Sequence, residues 1–303
     1  AIIESIESSE ENERIARHVG LNVSILKLVQ QKSNVFSLRG LDYKIENLNG
    51  LMRDETLTPM KRIEVAMAKF GRLSSSEIVT SQSVALEMLN ALGNNAITGK
   101  TKILDIASKQ GEFTRVLISK YGINIGGNVY ALPTSSVSYE FTRKVYNLLG
   151  LDTKQVLSTF TTYELLNPER KESLIKELED MNFDLVIGNP PYQQADGGAA
   201  ASAKPIYQEF VTIAKKVSTS YTCMIMPARW YTGGKGLDEF RASMLTDKHI
   251  KLLYDYQRPD EVFPDTNNRG GLCFIVRDNN FDNTLTLPEV VSNRGNQEIV
   301  SQV

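Results

Sequence analysis

One turn in the sequence carries groups that suit chemistry on an amino group. It reads Asn189-Pro190-Pro191-Tyr192 and follows the apolar run from Phe183 to Ile187. Asn189 offers a side-chain carbonyl as an acceptor, and Pro190 stiffens the turn and leaves its own carbonyl free. Two acceptors held side by side suit one planar NH2 group. Tyr192 can stack on the ring that carries this group, a contact worth about 1–3 kcal/mol for a base.

The elements around this turn must place it at the edge of a sheet. A short apolar run that ends at Gly188 is typical of a strand buried on both faces, which is the pattern of a parallel sheet. The turn then lies at the carboxyl end of a strand, where open α/β sheets bind ligands. The sequence therefore predicts an α/β fold with the turn on its ligand side.

In this position the turn closely resembles the Asn-Pro-Pro-Tyr motif of the S-adenosylmethionine-dependent amino-methyltransferases, in particular the DNA adenine N6 methyltransferases of restriction-modification systems. The chain from 221 to 276 is similar to the subgroup of large Eco57I-like methylases. The resemblance covers roughly residues 76–277. It implies methyl transfer from S-adenosylmethionine to adenine N6 in double-stranded DNA, with Asn189, Pro190, Pro191 and Tyr192 as the catalytic residues.

The fold that the resemblance implies is a Rossmann-like seven-stranded methyltransferase sheet with an antiparallel last strand, plus an amino-terminal helical arm. Strands are expected at Lys102–Ile106, Asn128–Leu132, Val156–Phe160, Phe183–Ile187, Tyr221–Met226, Ile250–Tyr254 and 270–276. We expect the arm over 1–75, the catalytic domain over 76–280, and a polar tail, or the start of a missing segment, over 281–303.

The first expected strand leads through the small-residue turn 107–110 into a helix that begins near Gly111. Such a turn brings backbone N–H groups and a close-approach site beside a ligand. The segment resembles the cofactor motif of these methyltransferases, in the subgroup whose turn carries a Lys before the last Gly. It departs from the motif where Ile106 replaces the usual proline and where Gly111 alone remains of a glycine-rich pattern.

Other positions also match the cofactor site of the family. Thr80-Ser81 stands where a Thr-Pro pair caps a helix and touches the methionine end of the cofactor, and Ser and Thr are both good N-caps. Pro133-Thr134-Ser135 stands where an acidic residue usually binds the ribose, so a hydroxyl is the weaker substitute. The loop 161–164 lies where the family contacts the cofactor's adenine. The resemblance thus assigns cofactor binding to Thr80, Asp105, Ala107, Gly111, Phe113, Thr134, Glu164 and Asn189.

Two regions are expected to contact DNA. The Gly-, Ala- and Ser-rich stretch from 193 to 204 indicates a mobile segment, which we expect to close over the target base. After the fifth expected strand, Arg229, Lys235 and Arg241 could hold phosphates. Phe263 is a candidate for the opposite face of a flipped adenine.

Composition sets broad limits on these expectations. With 41% hydrophobic and 23% charged residues and a net charge of −2, the chain has no global basic field, so DNA contacts must come from a local patch. The two cysteines lie in apolar runs and the two histidines are far apart, so no metal site is expected. The chain has no 18-residue apolar run, and we expect a cytoplasmic protein without membrane contact.

Two alternatives stay open at this point. The same four residues bind any planar NH2 group, so a protein glutamine N-methyltransferase is the rival enzyme. The altered cofactor turn and the absent ribose acid also fit a methylase-like module that binds DNA or a partner with weak or no catalysis. A specificity or nuclease domain or subunit is a further expected partner outside this chain.

Overall fold

The computed structural model describes residues 54–69, 78–193, 204–234, 236–263, 270–286 and 288–292. Most of the predicted amino-terminal arm, most of the predicted closing segment at 193–204 and the predicted phosphate ligand Lys235 lie outside these residues. In the described part no helix is long and apolar enough to span a membrane. No group of three or more potential metal ligands occurs there.

Helices and strands alternate along most of the chain. The α-helices are Pro59–Lys69 (α1), Gln82–Ala91 (α2), Glu112–Tyr121 (α3), Ser136–Leu148 (α4), Lys171–Asp180 (α5), Tyr207–Val217 (α6), Asp238–Leu245 (α7) and Pro259–Val262 (α8). The strands are Ile103–Ser108 (β1), Val129–Pro133 (β2), Phe183–Gly188 (β3), Ser218–Pro227 (β4), Ile250–Tyr256 (β5), Leu272–Asp278 (β6) and Glu289–Ser292 (β7). Short 3₁₀ helices occupy Ile123–Asn128, Thr153–Gln155, Thr162–Leu166 and Ala228–Thr232.

The strands form one seven-stranded sheet in the order β2-β1-β3-β4-β6-β5-β7. Strand β6 is antiparallel to both of its neighbours, and the other pairs are parallel. Every residue of β1 is buried, as expected for a central parallel strand covered on both faces. The predicted α/β methyltransferase-type sheet with one antiparallel strand is confirmed.

The membership of the sheet differs from the prediction at two places. The segment 156–160 is not a strand: Val156 makes one isolated parallel bridge to Ala131. Val156 and Phe160 are buried, so their apolar character serves packing rather than a ladder. In contrast, β7 lies within the predicted polar tail 281–303 and pairs in parallel with β5. Its two valines pack against the core although polar residues surround them in sequence, and the antiparallel strand is therefore not the last.

Two helices begin at hydroxyl N-caps, and the predicted cap at Ser81 is confirmed. Thr58 precedes Pro59 at the start of α1, and its Oγ1 accepts a hydrogen bond from the Lys61 amide at 3.3 Å. Ser81 caps α2, since its Oγ accepts from the Val84 amide at 3.3 Å. A hydroxyl at the N-cap satisfies one of the four free N–H groups of a helix start. The second of these helices thus begins where the sequence predicts it.

A buried tyrosine ties α4 to the edge of the sheet. The Tyr146 hydroxyl donates to the Val129 carbonyl at 3.1 Å and lies 3.0 Å from Oγ1 of Thr114. Burial raises the pKa of this phenol, so it acts as a neutral donor. We expect Tyr146→Phe to lower the free energy of unfolding by about 1–2 kcal/mol in urea titrations, because both partners lose a bond. Tyr121→Phe is the control, since that hydroxyl bonds no described residue, and equal losses in the two variants would contradict the assignment.

Candidate active site at the ends of β1 and β3

The carboxyl ends of β1 and β3 lie side by side at the centre of the sheet. The strands pair with Asp105 opposite Ile187, so the turns after Ser108 and Gly188 leave the sheet next to each other. A Cβ added to Gly188 would lie 3.0 Å from Cγ2 of Ile106, which explains a glycine at this close approach. The two turns that the sequence singles out therefore share the ligand side of the sheet.

The Asn189 side chain is buried with one of its polar atoms unused. It is 1% exposed, and its Nδ2 donates to the main-chain carbonyl of Ile78 at 3.1 Å. The reversed amide would set two carbonyl oxygens against each other, so Ile78 fixes the orientation of the carboxamide. Oδ1 accepts no hydrogen bond from any residue that the structure describes. A buried acceptor without a partner costs about 1–3 kcal/mol, so its presence indicates a ligand that donates.

The buried Lys109 side chain connects the turn after β1 to the turn after β3. It is 2% exposed, and its Nζ donates to the main-chain oxygen of Asn189 at 2.6 Å and to that of Ala107 at 3.4 Å. Lysines are almost never fully buried without partners. The turn after β1 thus holds the backbone of the turn after β3 through a charge-assisted bond.

The Glu112 carboxylate closes the turn after β1. Its Oε2 accepts from the amides of Lys109 at 3.2 Å and Gln110 at 2.9 Å, and the Gly111 amide donates to Oγ of Ser108 at 3.1 Å. The backbone N–H groups that we expected beside a ligand are therefore bonded within the turn. Oε1 of Glu112 is buried and accepts no bond from the described residues.

Gly111 has the positive φ of 69° that favours glycine over other residues. A Cβ at this position would also lie 3.1 Å from Cγ1 of Val145. The one glycine that remains of the motif is thus required by both backbone conformation and space.

Asp105 is fully buried at the end of β1 beside this turn. Its Oδ1 accepts from the Ala107 amide at 3.2 Å, and Oδ2 has no hydrogen-bond partner among the described residues. Burial, and then the charge of Glu112, raise the pKa of Asp105 well above its usual range, while the Lys109 ammonium acts in the opposite direction. The site therefore holds two acids and one buried cation.

The raised pKa predicts how stability changes with pH. An acid whose pKa is higher in the folded state binds its proton more tightly there, so its contribution to stability falls as pH rises from about 4 through the folded pKa. Asn at 105 does not ionise. We therefore expect Asp105→Asn to gain stability over the parent as pH rises from about 4 to 8, measured in denaturant titrations.

Asp282→Asn is the control of opposite sign for this series. The pKa of Asp282 is lowered by bonds from Thr284, so its contribution to stability is present above the usual pKa and is lost as pH falls. Replacing it should cost stability at neutral pH, and this cost should shrink as pH falls through the folded pKa of Asp282. Parallel stability curves for Asp105→Asn and the parent would show that Asp105 is not destabilised by burial.

The Tyr192 ring is packed inside the protein. It is 8% exposed, and it meets the Tyr207 ring edge to face at a centroid distance of 6.4 Å. Tyr207 in turn meets Phe240 at 6.1 Å. Burial raises the pKa of Tyr192, and its hydroxyl bonds no described residue. Pro190 and Pro191 are also buried. The turn is therefore held rigidly by its surroundings.

Thr80 reaches the same site from the segment before α2. It lies two residues after Ile78, whose carbonyl accepts from Asn189. Thr80 is 1% exposed, and its Oγ1 has no hydrogen-bond partner among the described residues. Thr80, Asp105, Glu112 and Asn189 thus each keep one unused acceptor around connected turns.

Three predicted cofactor residues have other contacts in the structure. Phe113 is 0% exposed in the hydrophobic core. Thr134 follows the end of β2, its amide donates to Ser108 at 3.1 Å, and its Oγ1 lies 3.0 Å from Oγ of Ser138. Glu164 caps its own 3₁₀ helix by accepting from the Thr161 amide at 2.8 Å. Thr134 flanks the turn after β1, whereas Phe113 and Glu164 have structural contacts.

The residues predicted to bind nucleic acid differ in their exposure to solvent. Arg229 is exposed after β4, close enough to Tyr207 to oppose the rise in that phenol's pKa. Arg241 is partly buried, and its Nε donates to the Tyr231 carbonyl at 2.7 Å. Phe263 is 4% exposed and belongs to the core. Arg229 is thus the predicted phosphate ligand with the clearest access among the described residues.

Solved structures share this fold. The type I restriction-modification methyltransferase subunit from Streptococcus thermophilus matches with a TM-score of 0.54 and 17% identity over 73% of this chain and 49% of that chain. A chain of a type I restriction-modification system, studied for its complex assembly and conformational transition, matches with a TM-score of 0.56 and 13% identity over 88% of this chain and 58% of that one. The sheet order and these likenesses define an α/β fold of the methyltransferase type.

The sequence comparison narrows this class to a family. The model of the Eco57I restriction-modification methylase family matches residues 79–263. This chain belongs to that family. It is also 31% identical over 134 residues to an uncharacterized adenine-specific methylase of Mycoplasma pneumoniae, a match that covers 43% of this chain. The chain spans 32% of the length of that relative.

Proposed function

We propose that this chain transfers a methyl group from S-adenosylmethionine to the N6 amino group of adenine in DNA, as part of a restriction-modification system. The observation that carries the proposal is the Asn189 carboxamide, which is buried, oriented by Ile78 and left with Oδ1 unused. Membership of the Eco57I restriction-modification methylase family supports the reaction class. The similarity to the adenine-specific methylase of Mycoplasma pneumoniae supports adenine as the target.

The chemistry needs two acceptors on one amino group. The lone pair of adenine N6 is delocalised into the ring, which makes this nitrogen a poor nucleophile. Hydrogen bonds from its two N–H groups to Oδ1 of Asn189 and to the Pro190 carbonyl favour a pyramidal nitrogen and return the lone pair to it. Acceptors fixed before the substrate arrives need no reorganisation during the reaction. The N6 proton becomes acidic only after transfer, so no general base is needed at the start.

The unused buried acceptors fit the cofactor. S-adenosylmethionine, when bound, supplies an electrophilic methyl group on a cationic sulfonium and also carries an ammonium. Oγ1 of Thr80, Oδ2 of Asp105 and Oε1 of Glu112 are buried acceptors that suit such a cationic, hydrogen-bond-donating ligand. We assign cofactor binding to these three residues. The 107–111 turn lies between Asp105 and Glu112 in the sequence, and Thr134 flanks it.

The adenine must leave the duplex to reach this turn. In the proposal it flips out and stacks on Tyr192, whose position is fixed by its packing on Tyr207. Arg229, exposed after β4, contacts the DNA backbone, with Arg241 and Lys235 as further ligands from the same connection. A specificity domain or subunit is the proposed partner for recognition of the target sequence.

Transfer of tritium from methyl-labelled S-adenosylmethionine tests the proposal. The chain is incubated with unmethylated genomic DNA, with the same DNA after full enzymatic adenine methylation, and with a protein extract. We expect label on the first substrate and little on the other two. Label on protein but not on DNA would replace the proposal with the protein-amide reaction, and absence of label from every substrate would contradict methyl transfer by this chain.

A further inference from the structure

We infer that Lys109 is a positioning residue for the Asn-Pro-Pro-Tyr turn, acting through the main-chain oxygen of Asn189. The inference rests on the proposed methyl transfer and adds a residue outside the four of the turn. It assigns to the turn after β1 a second task besides ligand binding, which is to set the geometry of the acceptors on the neighbouring turn.

The contacts of Lys109 single it out. Its Nζ lies 2.6 Å from the Asn189 oxygen, the shorter of its two bonds to main-chain carbonyls. With the bond from Nδ2 to Ile78, Asn189 is held at its backbone by the turn after β1 and at its side chain by the segment before α2. Burying an ammonium is costly unless it is paired, and here Asp105 lies close enough to interact with its charge.

The chemistry of the turn explains why this bond matters. The peptide between Asn189 and Pro190 has no N–H, so its carbonyl is the one hydrogen-bonding group that can fix its plane. The rings of Pro190 and Pro191 then restrict φ at the next two residues. Holding the Asn189 carbonyl therefore sets the direction of the Pro190 carbonyl, which is the second acceptor for the amino group.

Lys109→Met tests the inference because it keeps a long chain and removes the cation. We expect kcat for DNA methylation to fall about 10- to 100-fold, as for loss of a hydrogen bond to a charged group. KM for DNA and the Kd for S-adenosylhomocysteine should stay within about threefold of the parent values. Lys109→Arg, which keeps a cationic donor, should recover part of kcat.

Lys102→Met is the matched control. Lys102 lies just before β1, at the opposite end of the sheet from the site, and its Nζ also donates to a main-chain carbonyl, that of Met181, at 2.5 Å. The control variant loses the same kind of bond. Any fall in its stability should leave kcat unchanged, which separates positioning from stabilisation.

A spectroscopic readout is independent of activity. The sequence contains two Asn-Pro peptides, Asn167–Pro168 and Asn189–Pro190, so a chain labelled with carbonyl ¹³C-Asn and ¹⁵N-Pro gives two cross-peaks. A hydrogen bond deshields a carbonyl carbon. We expect Lys109→Met to move the Asn189 peak upfield and to leave the Asn167 peak in place, while Lys102→Met moves neither.

Each outcome decides one of the two claims. A parent chain that methylates no substrate refutes the proposed function, and the Asn189 carbonyl shift alone then decides whether Lys109 holds this peptide. A parent that is active while Lys109→Met has unchanged kcat and an unmoved Asn189 peak overturns the inference. If Lys109→Met does not fold, Lys109→Gln is measured in its place, with the same two readouts.

Discussion

Asn189→Ala is expected to lower kcat for methyl transfer to DNA about 100- to 1000-fold, the usual loss when one preorganised hydrogen-bonding group is removed from an active site. Two effects act in the same direction. The variant loses Oδ1, the unused buried acceptor, and it also releases the link between the turn and Ile78. The measurement is single-turnover transfer of labelled methyl to DNA, with thermal unfolding recorded alongside.

The chain offers a matched control for this variant. Asn167 also precedes a proline, but its Oδ1 accepts from the Glu169 amide at 2.9 Å in an exposed turn. Asn167→Ala should therefore keep the parent rate. Asn189→Asp should be as slow as Asn189→Ala, because a carboxylate cannot donate to Ile78. If Asn189→Ala kept a tenth or more of the parent rate, the catalytic role proposed for Asn189 would be contradicted.

Tyr192→Ala should lower kcat/KM for DNA about 10- to 100-fold, since stacking of a base on an aromatic ring contributes about 1–3 kcal/mol. Removing the ring also leaves a cavity beside Tyr207, so the free energy of unfolding should fall as well. Initial rates at low DNA concentration measure the first effect, and urea titration measures the second.

Tyr192→Phe separates the ring from its hydroxyl. The hydroxyl is buried and bonds no described residue, so its removal should leave kcat/KM near the parent value and should not lower stability. If Tyr192→Phe were as slow as Tyr192→Ala, the hydroxyl would carry the function and stacking would not.

The unused acceptors link function to stability in this fold. Thr80, Asp105, Glu112 and Asn189 each bury a polar atom that no described residue satisfies. Each lowers the stability of the free protein, and local rules are often broken in this way where a ligand completes the structure. The stability gain predicted for Asp105→Asn is therefore expected to be accompanied by weaker cofactor binding.

Much of the fold followed from local pattern. The buried run before Gly188, the capped helix start at Ser81, and the turn at Gly111 all depend on short-range chemistry that the sequence carries directly. The strand β7 could not be predicted from local pattern, because two valines among polar residues are a weak indication of a strand. It forms by pairing with β5, which is distant in sequence. For the segment 156–160 a strand was predicted that does not form. Its apolar residues pack on the sheet, and their sequence pattern is the same as that of residues in a strand.

The sequence predicts side chains of the candidate site but not the contacts between them. The acceptor Asn189 and the acid Asp105 were candidates from sequence, whereas the partner of Asn189 is a main-chain carbonyl at Ile78 that has no sequence signal. Glu112 had one available signal, an acid in the first turn of a helix after a glycine. Lys109 bonds a residue 80 positions away, a contact that only the folded chain defines.

Mass spectrometry of nucleosides from treated DNA tests the central claim most directly. Unmethylated DNA is incubated with S-adenosylmethionine and either the parent chain or Asn189→Ala, then digested to nucleosides. The proposed reaction predicts N6-methyldeoxyadenosine with the parent and almost none with Asn189→Ala. Methylation at another atom, or equal amounts of N6-methyldeoxyadenosine with both proteins, would contradict the role proposed for this turn.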